Sequence, residues 1–176
     1  MAERSIKAVL DKVNYLTSVA VTNKERLILI SMLSKYWEFK LFSDSTHSVL
    51  NNVIECGKVD YNTEMPKVFK CSDINLNITV KSIKSGIPLR CMDIMGCGGF
   101  LLSNYQRDFD DHFTDGDNIA VFRSIEEAYD KFEYYINHDE ERRKIAQKGY
   151  DTVKEYYNYP RQLRKALKTA GLNELI

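Results

Sequence analysis

Arg90 and Asp93 stand three positions apart in Ser85-Gly-Ile-Pro-Leu-Arg-Cys-Met-Asp93, shortly after the strand-like run Ile74-Asn-Leu-Asn-Ile78. A guanidinium offers parallel donors that match phosphate oxygens. A carboxylate only accepts, which suits the two hydroxyl donors of a ribose. On a helix, residues at i and i+3 lie on one side. The same spacing also fits a plain Arg90–Asp93 ion pair on a helix surface, so the chemistry is permitted and not compelled. Ser85, Gly86 and Ile87 form the loop before the helix, and Gly86 lets backbone approach a ligand closely. Pro88 suits a first helical turn, where its missing N–H costs nothing. The unpaired N–H groups and positive dipole end of a helix start are a common seat for phosphate. Lys81 and Lys84 add positive charge in the loop, and Asn77 can reach the same place from the end of its strand.

Half of the chain's eight glycines and one of its three prolines fall between Ser85 and Gly99. Gly96, Gly98 and Gly99 are placed to end the helix and turn the chain tightly into the next strand. Around this stretch the elements alternate. Helical spacing covers Ile6 to Ala20, and a capping-box signature at Thr22-Asn-Lys-Glu25 predicts a second helix. Glu38–Phe42 reads as a strand, and 43–57 is ambiguous between a short helix or loop and a short strand. A short helix follows Thr63, with Pro66 in its first turn. Strands are predicted at 74–78, 100–103 and 119–122, with helices at 87–96 and 106–113 between them. Ser124-Ile-Glu-Glu127 is another capping box. It opens a helical region broken near His138 and Pro160.

Strand–helix–strand alternation with short connections predicts an α/β fold, a Rossmann-like parallel sheet flanked by helices with a helical C-terminal region. The expected division is 1–36 as helical lead-in, 37–138 as the sheet domain and 139–176 as helices packing on it. In such sheets ligands gather at the carboxyl ends of the strands, where the Ser85–Asp93 stretch lies.

Other features are weaker. Asp108-Phe-Asp110 has the pattern of a metal-holding pair, but residues two apart on a helix point away from each other. Phe109 and Phe113 instead suggest a buried face. Tyr129, Phe132, Tyr135 and Ile136 have core spacing, and Arg161, Arg164, Lys165 and Lys168 fit the exposed side of a last helix. Asn75 and Asn77 are unusual in a central strand. They satisfy backbone groups, or Asn77 reaches the site.

Across 176 residues, 44% are hydrophobic and 28% charged, and 25 basic residues balance 25 acidic ones. This is ordinary for a globular chain, and it argues against a general nucleic-acid binder, which would carry a basic excess. No apolar run is long enough to span a bilayer, and the charged N-terminus is not a secretory signal. Cys56, Cys71, Cys91 and Cys97 show no paired spacing, so buried free thiols and a cytoplasmic location are expected. An acidic cluster at the strand ends, as a phosphoacceptor domain needs, is absent from the sequence pattern.

The run from Met65 to Phe113 and its continuation from Asp115 to Leu163 resemble the CgeB-like spore-maturation glycosyltransferases. The likeness covers about 57–167 and centres on the SGIPLR-x-x-D-x-x-x-x-GGF pattern. It implies the C-terminal, donor-binding half of a GT-B glycosyltransferase, using a nucleoside-diphosphate sugar and no bound metal or other cofactor. The implied donor contacts are Asn77, Lys84, Ser85, Gly86, Ile87, Arg90 and Asp93. Related retaining families carry two glutamates separated by seven residues: Asp93 falls where the second would be and Ser85 where the first would be. Ser85 cannot act as a carboxylate, which leaves the donor-sugar contact unassigned. The implied partner is an N-terminal GT-B half. The chain reads as a piece of a longer enzyme that alone transfers little or no sugar. The competing reading is a non-catalytic module that kept the fold for binding or assembly.

Overall fold

The computed structural model of the protein describes residues 2–44, 50 and 52–172, with side chains from Ile6 onward in the first helix. Part of the ambiguous 43–57 segment, at 45–49 and 51, lies outside the described residues. The elements run α1 (Ala2–Leu33), β1 (Phe39–Leu41), β2 (Val53–Glu55), α2 (Met65–Cys71), β3 (Asn75–Asn77), α3 (Leu89–Gly96) and β4 (Leu101–Asn104). A short 3-10 turn (Arg107–Asp111) follows, then β5 (Ala120–Phe122), α4 (Ile125–Asn137), α5 (Asp139–Tyr156) and α6 (Tyr159–Thr169). β1 and β2 pair in parallel, and β3-β4-β5 form a second parallel sheet in that order. The α/β architecture is the one the alternation predicts.

Side chains alternate across a strand, and here both faces of the three-stranded sheet are covered. Leu102, Ala120 and Phe122 point to one side, where Leu29 and Leu33 of α1 and Ala128, Phe132 and Tyr135 of α4 pack. The expected aromatic stripe of α4 is therefore core, with Tyr129 and Ile136 at its edge. Leu101, Ile119 and Val121 point to the other side and meet Phe69 of α2, Cys91, Ile94 and Met95 of α3, and Phe109 and Phe113. Ser124 caps α4, accepting from the Glu127 N–H at 3.1 Å, while the Glu127 carboxylate accepts from the Arg123 N–H at 2.8 Å.

Three expectations are corrected. The two predicted N-terminal helices are one, α1, running unbroken through Thr22. No glycine or proline interrupts it, and the Thr22 hydroxyl donates to the Ser18 carbonyl at 2.7 Å instead of capping a new start. The predicted 106–113 helix is only the 3-10 turn. Of the four thiols, all free, Cys91 is buried, Cys56 and Cys97 are half-buried and Cys71 is exposed.

The end of α3 explains the glycine cluster. The Gly98 N–H donates to the Met95 carbonyl at 2.8 Å and the Gly99 N–H to the Ile94 carbonyl at 2.9 Å, with Gly98 at φ +71°. This is a Schellman closure, which favours glycine at the left-handed position. A Cβ on Gly99 would meet the Phe69 carbonyl oxygen at 2.4 Å, so α2 approaches β4 as closely as it does only because that Cβ is absent. A Cβ on Gly96 would meet nothing nearer than Val153 at 3.8 Å.

The charged run at the start of α5 hides one buried group. Arg142, 6% exposed, donates to the Tyr135 carbonyl at 2.8 Å and to Asp73 and Asp139 at 2.6 and 2.7 Å. It ties α5 to the end of α4 and to Asp73 in the turn between α2 and β3.

These contacts set the stability of three variants. Gly99→Ala should cost about 1–3 kcal/mol by overpacking against backbone, whereas Gly96→Ala should gain about 0.5–1 kcal/mol in helix propensity. Urea unfolding of both variants checks the opposite signs. Arg142→Met should cost about 2–3 kcal/mol by stranding a buried carbonyl and losing charge-assisted bonds. An unchanged denaturation midpoint would contradict it.

Candidate functional site

The carboxyl ends of β3 and β4 are cross-linked by side chains. Asn104 accepts from the Thr79 N–H at 2.7 Å and donates to the Thr79 carbonyl at 3.2 Å. Asn77 donates to Thr79 Oγ1 and Ser103 Oγ, both at 3.0 Å, and is buried. Asn75 donates to the carbonyls of Phe69 and Phe100, at 2.9 and 3.2 Å. All three asparagines thus act inside the fold: Asn77 and Asn104 fix the strand ends from which the loop to α3 departs, and Asn75 ties the start of β3 to α2 and to the residue before β4.

α1 anchors that loop from the opposite side. The Lys81 N–H donates to the Thr22 hydroxyl at 3.2 Å, and Thr22 is fully buried. Arg26, one turn further along α1, donates to the Ile78 carbonyl through Nε at 3.1 Å and also through Nη2. Among the described residues its remaining partner is Asn23 Oδ1 at 3.2 Å. All of these acceptors are neutral. Burial, and after it the charge of Arg90, lower the Arg26 pKa from its ordinary value. The charge of Arg90 therefore reaches Arg26 at the end of β3, and among the described residues no carboxylate pairs with either guanidinium. The sequence reading missed Arg26. Its i,i+4 spacing from Thr22 is the trace it leaves in the sequence, but only the fold brings it to a loop 52 residues away.

Arg90 is exposed in the first turn of α3, with no hydrogen bond or ion pair among the described residues. Pro88 occupies the N-cap, one position before the first turn, and no side chain caps α3. The N–H groups of Leu89 and Arg90 thus have no helical partner. Lys81 pairs with Glu25, whereas Lys84 is exposed and unpaired among the described residues.

Asp93 lies one turn beyond Arg90 and does not pair with it. Its Oδ2 accepts from the Tyr61 hydroxyl at 2.6 Å, and this bond is the first cause of the raised Tyr61 pKa. Beside Asp93 a cavity of about 280 Å³ opens between α2 and α3, lined by Tyr61, Pro66, Phe69, Met92 and Cys97 among others. One face of α3 therefore carries free N–H groups and a guanidinium, then a carboxylate, then a largely apolar cleft. Cys91 points inward, and burial pushes its thiol up to about 12, so it is no nucleophile.

Ser85 and Gly86 are exposed and Ile87 is half-buried. Gly86 adopts φ +88° with open space where a Cβ would stand, so conformation, not crowding, explains the glycine. Its N–H donates to Asp108 Oδ2. Asp110 instead accepts from the Tyr105 hydroxyl at 2.6 Å. The two aspartates face different partners, and Phe109 between them is buried, as its spacing predicts. Among the described residues no cluster of three or more His, Cys, Asp or Glu side chains is gathered as for a metal, and no helix is long and apolar enough to cross a membrane.

The fold agrees with comparisons to known proteins. The chain is similar to a 1.35 Å crystal structure of the C-terminal domain of a glycosyl transferase group 1 family protein, LpcC, from Francisella tularensis. The TM-score is 0.51 at 24% identity, covering 63% of this chain and 56% of that one. At this identity the likeness establishes the fold, over little more than half of the solved chain. No curated protein matches the sequence. The glycosyl transferase-like family pattern matches residues 12–168, nearly the whole chain, and the protein belongs to that family.

Proposed function

We propose that this chain is the donor-binding half of a CgeB-like GT-B glycosyltransferase, holding a nucleoside-diphosphate sugar at the start of α3. The observation that carries this reading is the uncapped start of α3, which bears Arg90, with the Arg26 guanidinium at the end of β3 within reach of its charge; among the described residues neither is matched by a carboxylate. The diphosphate lies between the two guanidinium groups and the Leu89 and Arg90 N–H groups. The ribose hydroxyls donate to Asp93, whose other oxygen is held by Tyr61, and the base enters the cleft between α2 and α3. Asn77 acts from behind, by fixing the loop.

The chemistry follows from charge. As the bond between the sugar's anomeric carbon and the diphosphate oxygen breaks, its electron pair stays on that oxygen. Donors already aimed at the oxygen stabilise the developing charge without reorganising. The guanidinium groups can meet this charge without a metal. The acceptor and its base belong to an N-terminal half facing this site, so the chain alone transfers little or no sugar. Its free thiols fit a cytoplasmic setting.

Saturation-transfer NMR with UDP-, GDP- and ADP-sugars tests the reading. One donor should receive saturation at its ribose and base protons. Arg26→Ala and Arg90→Ala should each weaken its binding about tenfold or more, as expected on losing a charge-assisted contact. Asp93→Ala should weaken ribonucleotides more than their 2′-deoxy counterparts. No transfer to any of the three donors would count against the proposal.

A second reading, an assembly module, is favoured by one observation. Ile6, Val9, Leu10, Val13 and Leu16 form a helical stripe on α1 and are all exposed. A stable dimer by light scattering that Val13→Asp disperses, together with no nucleotide binding, is the result this reading requires.

A further inference from the structure

We infer that Asp108 reads the transferred sugar of the donor, supplying the carboxylate that Ser85 does not. This rests on the donor-site reading above and extends it to the sugar.

A nucleotide sugar is a linear ligand, and α3 gives its order. Asp93, at the ribose, and Arg90, at the diphosphate, are separated by about 4.5 Å along the helix axis at 1.5 Å per residue. The group beyond the diphosphate then lies past the helix start, away from Asp93. The residues that lead into that start are the loop at Ser85 and Gly86, followed by the extended Pro88. One carboxylate is held there by a described contact, that of Asp108, through the Gly86 N–H.

The contact is built from both sides. The left-handed φ of +88° at Gly86 is a conformation that other residues rarely adopt. It is what presents this N–H to Asp108. On the other side, Asp108 sits in the 3-10 turn after β4, and its neighbour Phe109 is 1% exposed in the core, which fixes where the turn stands. Asp110, the other acid of the turn, is held by Tyr105. An ionised carboxylate has about four acceptor positions. The Gly86 N–H takes one of those of Asp108, and no other hydrogen bond to it is formed among the described residues. Acceptors without donors are what a ring of sugar hydroxyls complements, and bonds to an ionised acceptor are the stronger kind. A carboxylate touching the diphosphate itself would repel it. The two placements therefore predict effects of opposite sign.

The experiment is calorimetric titration of wild type, Asp108→Asn and Asp108→Glu with UDP-glucose, GDP-mannose and ADP-glucose, each beside UDP, GDP and ADP. Asparagine keeps an oxygen for the Gly86 N–H, and the Gly86 amide resonance reports whether the loop is intact. The expected result is that Asp108→Asn lowers affinity for the bound nucleotide sugar about tenfold, the lower end for losing a bond to a charged acceptor. Affinity for the matching nucleoside diphosphate should stay within about twofold, since the uncharged contacts are unaltered. Equal loss for both ligands would make Asp108 a loop tether and overturn the inference. Equal gain would make it a placeholder on the phosphate site, and no change would give it no part in binding; either also overturns it. If wild type binds the nucleoside diphosphates while Asp108→Asn shows one of these patterns, the donor-site reading survives alone. If wild type binds neither ligand, both fall.

Discussion

The site depends on one contact, the Arg26 guanidinium against the Ile78 carbonyl at the end of β3. A strand that ends at the sheet's edge leaves carbonyls that need donors, and here the donor comes from α1 and not from the next strand. The choice of arginine has two consequences. It clamps the loop toward α3, together with Thr22 on the Lys81 N–H, and it leaves a positive charge that these neutral partners do not cancel. A neutral donor would have served the carbonyl equally well. Holding a half-buried guanidinium near the charge of Arg90 is unfavourable: burial, and after it Arg90, lower the Arg26 pKa. Such an arrangement is repaid when an anion enters.

α3 then acts as a ruler. Its start offers N–H groups and Arg90, its middle offers Asp93, and its end borders the cleft toward α2. The ruler has to be held at both ends. At the far end the Schellman closure and the bare Cα of Gly99 let α2 and β4 pack without a gap. Gly149 allows the same closeness on the side of α5, since a Cβ there would meet the Asn118 carbonyl at 2.8 Å. The glycines of a glycine-poor chain therefore serve two needs, a left-handed turn at Gly86 and Gly98 and close contact at Gly99 and Gly149.

Much of the scaffold was legible because it is written locally. Strand alternation, the Ser124 capping box, the aromatic stripe of α4 and the Gly98-Gly99 turn each depend on residues a few positions apart. Arg90, Asp93 and Gly86 were legible for the same reason: they share one loop and one helix. What the sequence concealed is what the fold assembles. Thr22 and Glu25 have the spacing of a helix start, yet Thr22 is a buried acceptor for a loop 59 residues away. Tyr61 reaches Asp93 across 32 residues and Asp108 reaches Gly86 across 22, so neither partner is marked by spacing. Arg142 sits in a run that looks solvated throughout, and only its burial separates it from Arg143, which is exposed.

The central claim is that a diphosphate is held between Arg26, Arg90 and the start of α3. Titrating the ¹⁵N-labelled chain with inorganic pyrophosphate tests this without assuming a nucleotide. The account predicts saturable shifts of the Leu89 and Arg90 amides and of the Arg26 and Arg90 side-chain N–H signals, weakening as salt is raised. Shifts confined to the exposed basic residues of α6, Arg161, Arg164, Lys165 and Lys168, with the α3 start unmoved, would contradict it.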